Sequence, residues 1–507
     1  MKKLVCGLLA NVDAGKTSLV ESLLFQAGNL RKLGRVDHGT AFLDTDEVQK
    51  RRGITVFDHV ACLNTENAAI SLVDTPGHSD FAGQLLQTLG VVDYAILLVS
   101  AQEGVTSNTR QLWRHLQKAQ LPVFIFINKM DTPGADKQRL LSQLQDQLSD
   151  NCVAVDADFF ENAATGDEAA LEQFLAKGEL TDGQVQALIK KRKLFPVYFG
   201  SALQNEGVAD LLAGLTKWTQ EFKAADSLQA RVFNISHDGR NRLTWLRVFS
   251  GKLHAKDQLG DEKINELRRY SGTSFETIAE AGPGEVVAAT GLNKTKPGQG
   301  FGLPDRVEKL QPVLSYSVEG ADLDEVWAAL QTLADEDSTL RPVWTHDKKE
   351  LTVQLMGELH RQTVEQLLQE RFDLAVSLTQ SGIVYQETIN NKAGEGIGHF
   401  EPLRHYAEAH LWLEPLPAGS GLQFANACDQ EVLAKNWQAQ IMTALQSKTL
   451  RGVLLGAPLT DVKITLLSGH ASIVHSVGGD FREAAWRAVR QGLMELRKQN
   501  ACVLLEP

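Results

Sequence analysis

The stretch "KKLVCGLLANVDAGKTSLVESLLFQAG", residues 2–28, decides the fold of the first part of this chain. It opens with an apolar run typical of a buried strand, crosses the polar loop "ANVDAGKTS" and continues as an amphipathic helix. The loop nearly matches the phosphate-loop pattern G-x-x-x-x-G-K-[ST], but Ala10 replaces the first glycine. A methyl group fits at the end of a strand when φ is negative, so the stretch still predicts a phosphate-binding unit. Taken without the rest of the chain, this stretch is also compatible with an ordinary strand-to-helix turn in which Gly-Lys-Thr occurs by chance.

The residues after the strand have the chemistry that a phosphate loop needs. Backbone N–H groups at the start of a helix point at an anion, and Gly15 lets the backbone approach that anion closely. The ammonium of Lys16 can reach the β and γ phosphates, and the Thr17 hydroxyl can ligate Mg²⁺. We therefore expect the phosphates of a nucleotide at this loop.

Short apolar runs alternate with helix-length segments as far as residue 222. The later runs are "AAISLVDTP", "YAILLVSA", "VFIFINKMD" and "FPVYFGSA", and each ends in a polar or glycine-containing cluster. This alternation is typical of a doubly wound parallel sheet, which binds ligands at the carboxyl ends of its strands. The clusters are therefore expected to meet at one edge of the sheet.

The cluster "DTPGH", residues 74–78, follows the phosphate loop in the order expected of a nucleotide hydrolase. Asp74 is placed to hold Mg²⁺ through water, and the Gly77 N–H can bind the γ phosphate. His78 can orient the attacking water, since positioning supplies most of the catalysis in phosphoryl transfer. The other interpretations are a common Pro-Gly turn and a surface histidine.

Two later clusters, "NKMD" at residues 128–131 and "GSA" at 200–202, indicate which base the bound nucleotide carries. The Asp131 carboxylate can accept hydrogen bonds from N1–H and the amino group of guanine, whereas adenine has an acceptor at N1. The stem of Lys129 would pack along the base, and a backbone N–H of "GSA" can bind O6 of guanine. Four motifs in this order predict a guanine-nucleotide site, and an ATP-driven motor is the disfavoured alternative.

Between the first two motifs lies "QKRRGITV", residues 49–56, in a segment with poor periodicity. Thr55 is the candidate to close on Mg²⁺ and the γ phosphate when GTP is bound and to release them after hydrolysis. The alternative interpretation is a solvated basic loop.

The pattern changes after residue 222 and predicts three more domains. Residues 1–222 form the predicted GTP-binding domain, 223–308 a small antiparallel β-barrel, 309–380 a β-α-β-β-α-β sandwich and 381–507 a further α+β domain. The fold class is therefore multidomain, α/β first and α+β later.

Composition limits the partners of the chain. A net charge of -12 excludes attraction to nucleic acid by overall basicity, so an RNA partner must be met by local patches. Residues 381–507 carry 11 basic and 12 acidic residues and are not a simple basic clamp. Five scattered cysteines favour reduced thiols, and no run reaches the ~20 apolar residues of a membrane span. Candidate RNA contacts, chosen by position only, are Lys435, Trp437, His470 and His475.

Taken together, the motifs resemble the ribosome-associated translational GTPases of the elongation factor G type. The similar residues are "ANVDAGKTS", "RRGIT", "DTPGH", "NKMD" and "GSA", with "GELH" at 357–360 and "VLLEP" at 503–507. Alanine at position 10 is usual in that family, whereas Asn11 and Ser18 stand where it usually has His and Thr. The resemblance implies a cytoplasmic, monomeric GTPase that binds GTP or GDP with Mg²⁺ and has the bacterial ribosome, its rRNA and its proteins, as partner.

The resemblance also implies roles for individual residues. It assigns hydrolysis to His78, Thr55 and Lys16, and Mg²⁺ to Thr17, Thr55 and Asp74. It places the nucleotide against Asp13, Ala14, Gly15, Lys16, Thr17, Ser18, Gly77, Asn128, Lys129, Asp131, Ser201 and Ala202.

Within this family the chain is most similar to the ribosomal-protection proteins of tetracycline resistance. The similar segments are "ESLLFQAG", "VFSGKLH", "PLPAGSGLQF" and "GDFR". The segment between Asp131 and Gly200 is also too short for the large inserted subdomain of elongation factor G. That similarity implies release of tetracycline, but the loop "SIVHSVGG", residues 472–479, lacks the proline-containing tip of those proteins. Elongation factor G-like translocation and a regulatory GTP-binding module are the alternatives. Family members continue past "LLEP" into a fifth domain, so we expect a shortened protein.

Overall fold

The structure is a computed structural model that describes residues 1–30, 59–221, 225–239, 241–272, 274–306, 310–345 and 350–506. The chain divides into two compact units. The first joins Met1–Gln311 to Val318–Leu378, and the second joins Pro312–Ser317 to Thr379–Pro507. Among the described residues, no helix has the length and hydropathy that a bilayer crossing requires. All five cysteines are described, and none is in a disulfide.

The first unit begins with a seven-stranded sheet. Its strands are β1 (Lys2–Ala10), β2 (His59–Asn64), β3 (Ala68–Asp74), β4 (Tyr94–Ser100), β5 (Val123–Asn128), β6 (Cys152–Ala154) and β7 (Phe195–Phe199). The order is β2-β3-β1-β4-β5-β7-β6, and every neighbouring pair is parallel except β2 with β3. The five apolar runs form β1, β3, β4, β5 and β7, which confirms the predicted doubly wound sheet. The two edge strands β2 and β6 were not predicted; β6 has only three residues.

Helices cover both faces of this sheet. They are α1 (Lys16–Gln26), α2 (Ala82–Leu89), α3 (Ser107–Lys118), α4 (Lys137–Gln147), α5 (Phe159–Ala164), α6 (Glu168–Lys177), α7 (Asp182–Lys190) and α8 (Val208–Trp218), with a 3₁₀ turn at Ser79–Phe81. Strand β1 alternates between two cores, because Leu4 and Leu8 belong to one and Val5 and Leu9 to the other. Burial on both faces explains why the strands read as continuous apolar runs.

An antiparallel, sheet-rich region follows. Its strands are β8 (Gln229–Asp238), β9 (Asn241–Ser250), β10 (Leu253–His254), β11 (Gln258–Leu259), β12 (Glu262–Lys263), β13 (Leu267–Ser271), β14 (Ser274–Ile278), β15 (Glu280–Ala281), β16 (Val286–Ala289) and β17 (Gly300–Phe301). Six of them form the sheet β14-β13-β16-β9-β8-β17, and the pairs β10-β15 and β11-β12 are short ribbons. Antiparallel pairing is what the turn-rich alternation of the sequence predicted.

The next elements have the predicted β-α-β-β-α-β order. They are β18 (Leu314–Gly320), α9 (Leu323–Glu336), β19 (Arg341–Thr345), β20 (Glu350–Leu355), α10 (Glu358–Phe372) and β21 (Val376–Ile383). The sheet order is β19-β20-β18-β21.

The remaining elements form a second α+β arrangement. They are β22 (Gln386–Ile389), β23 (Gly394–Phe400), β24 (Ala407–Pro415), β25 (Leu422–Asn426), α11 (Lys435–Ser447), β26 (Val462–Ala471), α12 (Asp480–Lys498) and β27 (Cys502–Leu505). The main sheet is β23-β24-β26-β25, and β22 pairs with β27. Alternate residues of β24, among them Ala409 and Leu411, share a core with Ile441 of α11 and Phe481 of α12. Both helices therefore cover the same face of the sheet.

Glu387 of β22 holds a loop in the second unit. It is 1% exposed, and its carboxylate accepts hydrogen bonds from the N–H groups of Leu454, Leu455 and Ala457 at 2.7, 2.9 and 3.1 Å. Burial alone would raise the pKa of Glu387, but these hydrogen bonds hold that pKa below its ordinary value. A carboxyl group with a lowered pKa stabilises the fold above its unfolded pKa of about 4.3, and this stability is lost as the pH falls through the folded pKa.

We expect Glu387→Gln to lower the free energy of unfolding by about 2–3 kcal/mol at pH 7, because hydrogen bonds to a buried charged acceptor are lost. Urea unfolding measures the change, and the difference between the two proteins should shrink below about pH 4.3. Glu414→Gln is the matched control, since its 2.7 Å ion pair with Lys463 is partly exposed and contributes about 1 kcal/mol or less. Equal losses in the two variants would contradict the role given to Glu387.

Candidate nucleotide-binding site

The predicted phosphate loop lies between the end of β1 at Ala10 and the start of α1 at Lys16. Asp13 and Gly15 adopt left-handed φ angles of 61° and 90°. A Cβ atom at Gly15 would also collide with the side-chain nitrogen of Asn128. Glycine is therefore required at position 15 both for the backbone conformation and for close packing.

The position of Ala10 explains why the first glycine of the pattern is dispensable. Ala10 is not among the residues with positive φ, and its side chain, 1% exposed, belongs to the same core as Leu8 and Leu98. The close approach is made by Gly77, where a Cβ atom would lie 2.8 Å from the Ala10 carbonyl oxygen. The Ala10 methyl group therefore points into the core. It does not obstruct the approach of Gly77 to the Ala10 carbonyl oxygen.

Lys16 lies in the first turn of α1, with its ammonium buried against the end of β3. Its Nζ is 3.2 Å from Asp74 Oδ1 and donates a hydrogen bond to the Thr75 carbonyl oxygen. The side chains of Lys16 and Asp74 are only 9% and 3% exposed, and Thr17 and Ser18 beside them are half-buried. A buried cation at a helix N-terminus suits a phosphate, and carboxylate and hydroxyl oxygens are ligands that suit a hard metal ion.

The turn after β3 brings Gly77 and His78 to the same edge of the sheet. His78 Nδ1 accepts a hydrogen bond from the Asp80 N–H at 3.2 Å, and the side chain is 38% exposed. The same Nδ1 also lies 3.4 Å from Asp80 Oδ1. In the neutral tautomer whose Nδ1 accepts from the Asp80 N–H, the ring carries its N–H at Nε2. A small cavity beside the ring is lined by this turn and by Asn108 and His115 of α3. Nε2 is therefore the nitrogen that can donate to a ligand.

Asn11 connects the phosphate loop to this turn through Asn108. Asn108 Nδ2 donates at 3.0 Å both to Asn11 Oδ1 and to the Gly77 carbonyl oxygen. Asn11 Oδ1 also accepts from the Val12 N–H, and its Nδ2 donates to Glu103 Oε2, both at 3.0 Å. The Asn11–Asn108 pair thus fixes the peptide that follows Gly77 relative to the loop.

Asn128, at the end of β5, connects the phosphate loop to the end of β7. Its side chain is 2% exposed; Nδ2 donates to the Ala14 carbonyl oxygen and Oδ1 accepts from the Ala202 N–H, both at 2.8 Å. The amide holds together the two loops that would flank a base. A direct contact between Asn128 and guanine stays a prediction.

The other residues predicted to read the base lie around these loops. Lys129 has a left-handed φ of 62°, and the N–H of Met130 binds the first carbonyl of the "GSA" motif at 3.0 Å. Ser201 and Ala202 are each 1% exposed. The Asp131 side chain is exposed, and its carboxylate has no hydrogen-bond partner among the described residues. The carboxylate is therefore open to a base, while the loop that carries it is fixed by backbone hydrogen bonds.

The structure thus brings four of the predicted motifs to the carboxyl ends of β1, β3, β5 and β7. Thr55 and the segment around it lie outside the described residues. The residues that meet at this edge are Asp13, Ala14, Gly15, Lys16, Thr17, Ser18, Asp74, Gly77, His78, Asn128, Lys129, Asp131, Ser201 and Ala202.

Asp80 connects the turn that carries His78 to α10. Its Oδ2 accepts hydrogen bonds from the N–H groups of Leu359 and His360 at 3.1 and 3.2 Å, so it caps the first turn of that helix. Gly357 has no room for a Cβ atom, which would collide with the Asp80 carboxylate. Burial lowers the pKa of His360, although Asp337 and Asp80 oppose the shift. The "GELH" segment therefore packs directly against the turn beside the site.

Sequence reasoning missed both Asn108 and Asp80. Asn108 follows β4, whose carboxyl end lies at the same edge, so a search of every strand end for polar side chains could have found it. Asp80 had no such signal, because the residues it caps are 279 and 280 positions away in the chain.

Four family models match successive parts of the chain. They describe the elongation factor Tu GTP-binding domain over residues 1–221, elongation factor G domain 2 over 227–301, domain III over 311–380 and domain IV over 381–496. The first match indicates a domain that binds a guanine nucleotide.

Whole proteins are also similar to this chain. It is 31% identical to the tetracycline resistance protein TetM of Neisseria meningitidis and 30% identical to TetS of Listeria monocytogenes, covering 100% of this chain and 84% of each relative. It is 27% identical to elongation factor G 2 of Syntrophus aciditrophicus, over 99% of this chain and 87% of that one. A crystal structure of a Thermus thermophilus protein has the same fold, with a TM-score of 0.68 at 24% identity over 99% of this chain and 86% of that chain.

Proposed function

Because the chain belongs to the elongation factor G family of translational GTPases, we propose that it is a ribosome-dependent GTPase that remodels the decoding site of the bacterial ribosome. The proposed task is ribosomal protection, in which the GTP-bound form releases tetracycline. It acts in the cytoplasm as a monomer. The single observation that carries the proposal is the similarity, along the whole chain, to two tetracycline resistance proteins.

The phosphates of GTP bind at residues 13–18 in this proposal. The buried ammonium of Lys16 and the N–H groups at the start of α1 supply the positive potential that the β and γ phosphates need. Gly77, held against Ala10 by close packing, offers its N–H to the γ phosphate.

Mg²⁺ is the ion proposed to accompany GTP, with Thr17, Thr55 and Asp74 around it. Hydroxyl and carboxylate oxygens are the hard ligands that Mg²⁺ prefers, and the Asp74 side chain is 3% exposed beside Lys16. The ion would neutralise charge that develops on the β and γ phosphate oxygens.

Guanine is read by Asp131, whose exposed carboxylate accepts from N1–H and from the amino group. Lys129 packs along the base, and the buried Ser201 and Ala202 present a backbone N–H to O6. Asn128 keeps the two loops at a fixed spacing through its hydrogen bonds to Ala14 and Ala202.

His78 is the residue proposed to place the attacking water. Its Nδ1 is occupied by the Asp80 N–H, so the Nε2–H group donates to the water oxygen and holds it in line with the γ phosphate. Basal turnover is slow in this proposal, and the ribosome completes the arrangement.

Phosphate release by the full chain, with and without 70S ribosomes, tests ribosome dependence. We expect stimulation by about 10³-fold, the lower range for slow GTPases activated by a partner in trans. Release that is no faster with ribosomes than without them would contradict the proposal. That result would favour a regulatory GTP-binding module in which hydrolysis is incidental.

Tetracycline susceptibility of cells that express the chain tests the more specific part of the proposal, the release of tetracycline from the ribosome. The loop at residues 472–479 favours the alternative of translocation without a role in resistance, because it lacks proline and instead exposes Ile473 and Val474. Release of the drug predicts growth at raised tetracycline concentrations for cells with the natural chain and no such growth for cells with His78→Ala. Equal susceptibility with and without the chain would leave the translocation alternative.

We expect Asn108→Ala to slow ribosome-stimulated hydrolysis about fivefold to thirtyfold, because its two hydrogen bonds, to Asn11 and to the Gly77 carbonyl oxygen, are worth about 0.5–1 kcal/mol each. The GDP affinity should stay within about twofold. Single-turnover hydrolysis and fluorescent-nucleotide binding measure the two quantities. Ser107→Ala, at the neighbouring exposed position of α3, is the matched control. A loss of GDP affinity equal to the loss of rate would contradict a positioning role.

A further inference from the structure

The helix α10 begins without a cap of its own. Its N-cap residue is Gly357, which has no side chain that could accept a hydrogen bond from the first turn. The carboxylate of Glu358, the next residue, pairs instead with Arg361 at 2.6 Å. The cap is supplied by Asp80, whose Oδ2 accepts from the N–H groups of residues 359–360, which lie 279 and 280 positions further along the chain. The first turn of α10 therefore depends on the GTP-binding domain for its cap.

Asp80 also holds the ring of His78. Its N–H donates to His78 Nδ1 at 3.2 Å, and its Oδ1 lies 3.4 Å from the same ring nitrogen. No other residue in the described part of the chain makes a hydrogen bond or an ion pair with this ring. Asp80 thus contacts the imidazole through its N–H and Oδ1 and the start of α10 through Oδ2.

Two further contacts keep the turn against α10 and the loop that follows α9. Phe81 is 2% exposed, and its ring centre lies 5.6 Å from that of the buried His360. A Cβ atom at Gly83 would lie 2.5 Å from Thr339 Cγ2, so α2 approaches this loop closely. His360 is fixed in turn, because its Nε2 lies 3.3 Å from Asp337 Oδ2. The surface on which the turn rests is therefore closely packed.

His78 needs such an anchor because its side chain is 38% exposed and lies in a turn. Positioning supplies most of the catalysis in phosphoryl transfer, and a displacement of about 1 Å can cost about 10²-fold in rate. Asn108 fixes the Gly77 peptide before the ring, and Asp80 fixes the backbone after it. The place of the ring therefore depends on α10 as well as on the phosphate loop.

We propose that Asp80 is a positioning residue for hydrolysis, through which α10 sets the place of the His78 ring. This inference rests on the proposed function, in which His78 orients the attacking water. Asp80 acts through the imidazole and contacts neither the phosphates nor the base. Gly357 serves the same contact from the other side, because a Cβ atom there would collide with the Asp80 carboxylate and displace it from α10.

Single-turnover GTP hydrolysis by the full chain on 70S ribosomes tests the proposal. We expect Asp80→Ala to slow hydrolysis about tenfold, the size of a lost helix cap expressed as a rate, and to keep the GDP affinity within about twofold. Asp80→Asn retains an oxygen that can cap the helix and should stay within about threefold of the natural rate.

The matched control is Asp322→Ala, which removes the same kind of cap from α9. Asp322 Oδ1 accepts from the N–H groups of residues 324–325 at 3.0 and 3.2 Å, but its described hydrogen bonds do not reach the turn that carries His78. This variant should hydrolyse GTP within about twofold of the natural rate. An effect of helix capping in general would slow both alanine variants equally.

Two more variants separate a role through His78 from an independent one. If Asp80 acts through the ring, His78→Ala/Asp80→Ala hydrolyses GTP no more slowly than His78→Ala. Gly357→Ala disturbs the contact with the GTP-binding domain unaltered, and it should slow hydrolysis about as much as Asp80→Ala. Circular dichroism and GDP binding check that each variant is folded, and Gly357→Ala carries the test if Asp80→Ala is not.

Slow hydrolysis by Asp80→Ala and Gly357→Ala, with retained rates in Asp80→Asn and Asp322→Ala and no further loss in the double variant, supports the proposal. A natural rate in Gly357→Ala or a folded Asp80→Ala, an equal loss in Asp80→Asn or Asp322→Ala, or a further loss of about tenfold in the double variant overturns it. If ribosomes stimulate the natural chain and Asp80→Ala alike, this inference fails and the proposed function stands. If ribosomes do not stimulate the natural chain, the proposed function fails, and hydrolysis without ribosomes decides the same comparison.

Discussion

The Asp131→Asn variant should bind xanthosine triphosphate in preference to GTP. Guanine presents two donors, N1–H and its amino group, to the carboxylate, whereas xanthine keeps N1–H and has a carbonyl oxygen in place of the amino group. An amide accepts from N1–H and donates to that carbonyl, but it turns an N–H toward the amino group of guanine. A polar mismatch of this kind, covered by the bound base, costs about 10³-fold or more in affinity.

The structure predicts that this exchange leaves the fold unchanged. The Asp131 carboxylate has no hydrogen-bond partner among the described residues, and the loop is fixed by backbone bonds of Met130 and Thr132. Competition between the two triphosphates for a fluorescent guanine nucleotide measures the reversal. Asp146→Asn, another exposed aspartate of the same domain, is the control and should keep the preference for GTP. An unchanged preference in Asp131→Asn would exclude Asp131 from base recognition.

The second large effect is expected from His78→Ala, which should reduce ribosome-stimulated hydrolysis by about 10²–10⁴-fold. The imidazole is the group proposed to orient the attacking water, and its Nδ1 is held by the Asp80 N–H. The side chain is 38% exposed and is not among the groups proposed to hold phosphate or guanine. Nucleotide affinity should therefore stay within about threefold, and the loss should appear in the rate of the chemical step.

His115→Ala is the matched control for this variant, because both histidines line the same small cavity. Single-turnover phosphate release on ribosomes measures the rate, and ribosome co-sedimentation shows whether binding is retained. If His78→Ala no longer sediments with ribosomes, or if His115→Ala is equally slow, the water-placing role is wrong.

The local pattern of the sequence predicted the strands β1, β3, β4, β5 and β7 of the first sheet in their order along the chain. Apolar runs buried on both faces predict parallel strands, and the polar cluster after each run marks its carboxyl end. Because parallel strands end at one edge, residues 13–18, Asp74, Gly77 and Asp131 could be expected near one another before any coordinates were known. The edge strand β6 was missed because three residues give no measurable period.

The sequence by itself determined the five strands β1, β3, β4, β5 and β7, the helix that follows the phosphate loop and the chemistry available at each strand end, since these follow from local periodicity and residue type. Only the tertiary structure decided that Ala10 points into the core, that Asn128 connects Ala14 to Ala202, and that Asn11 reaches Asn108. These contacts join residues that lie 74 to 114 positions apart, and their partners are set by packing rather than by any local pattern.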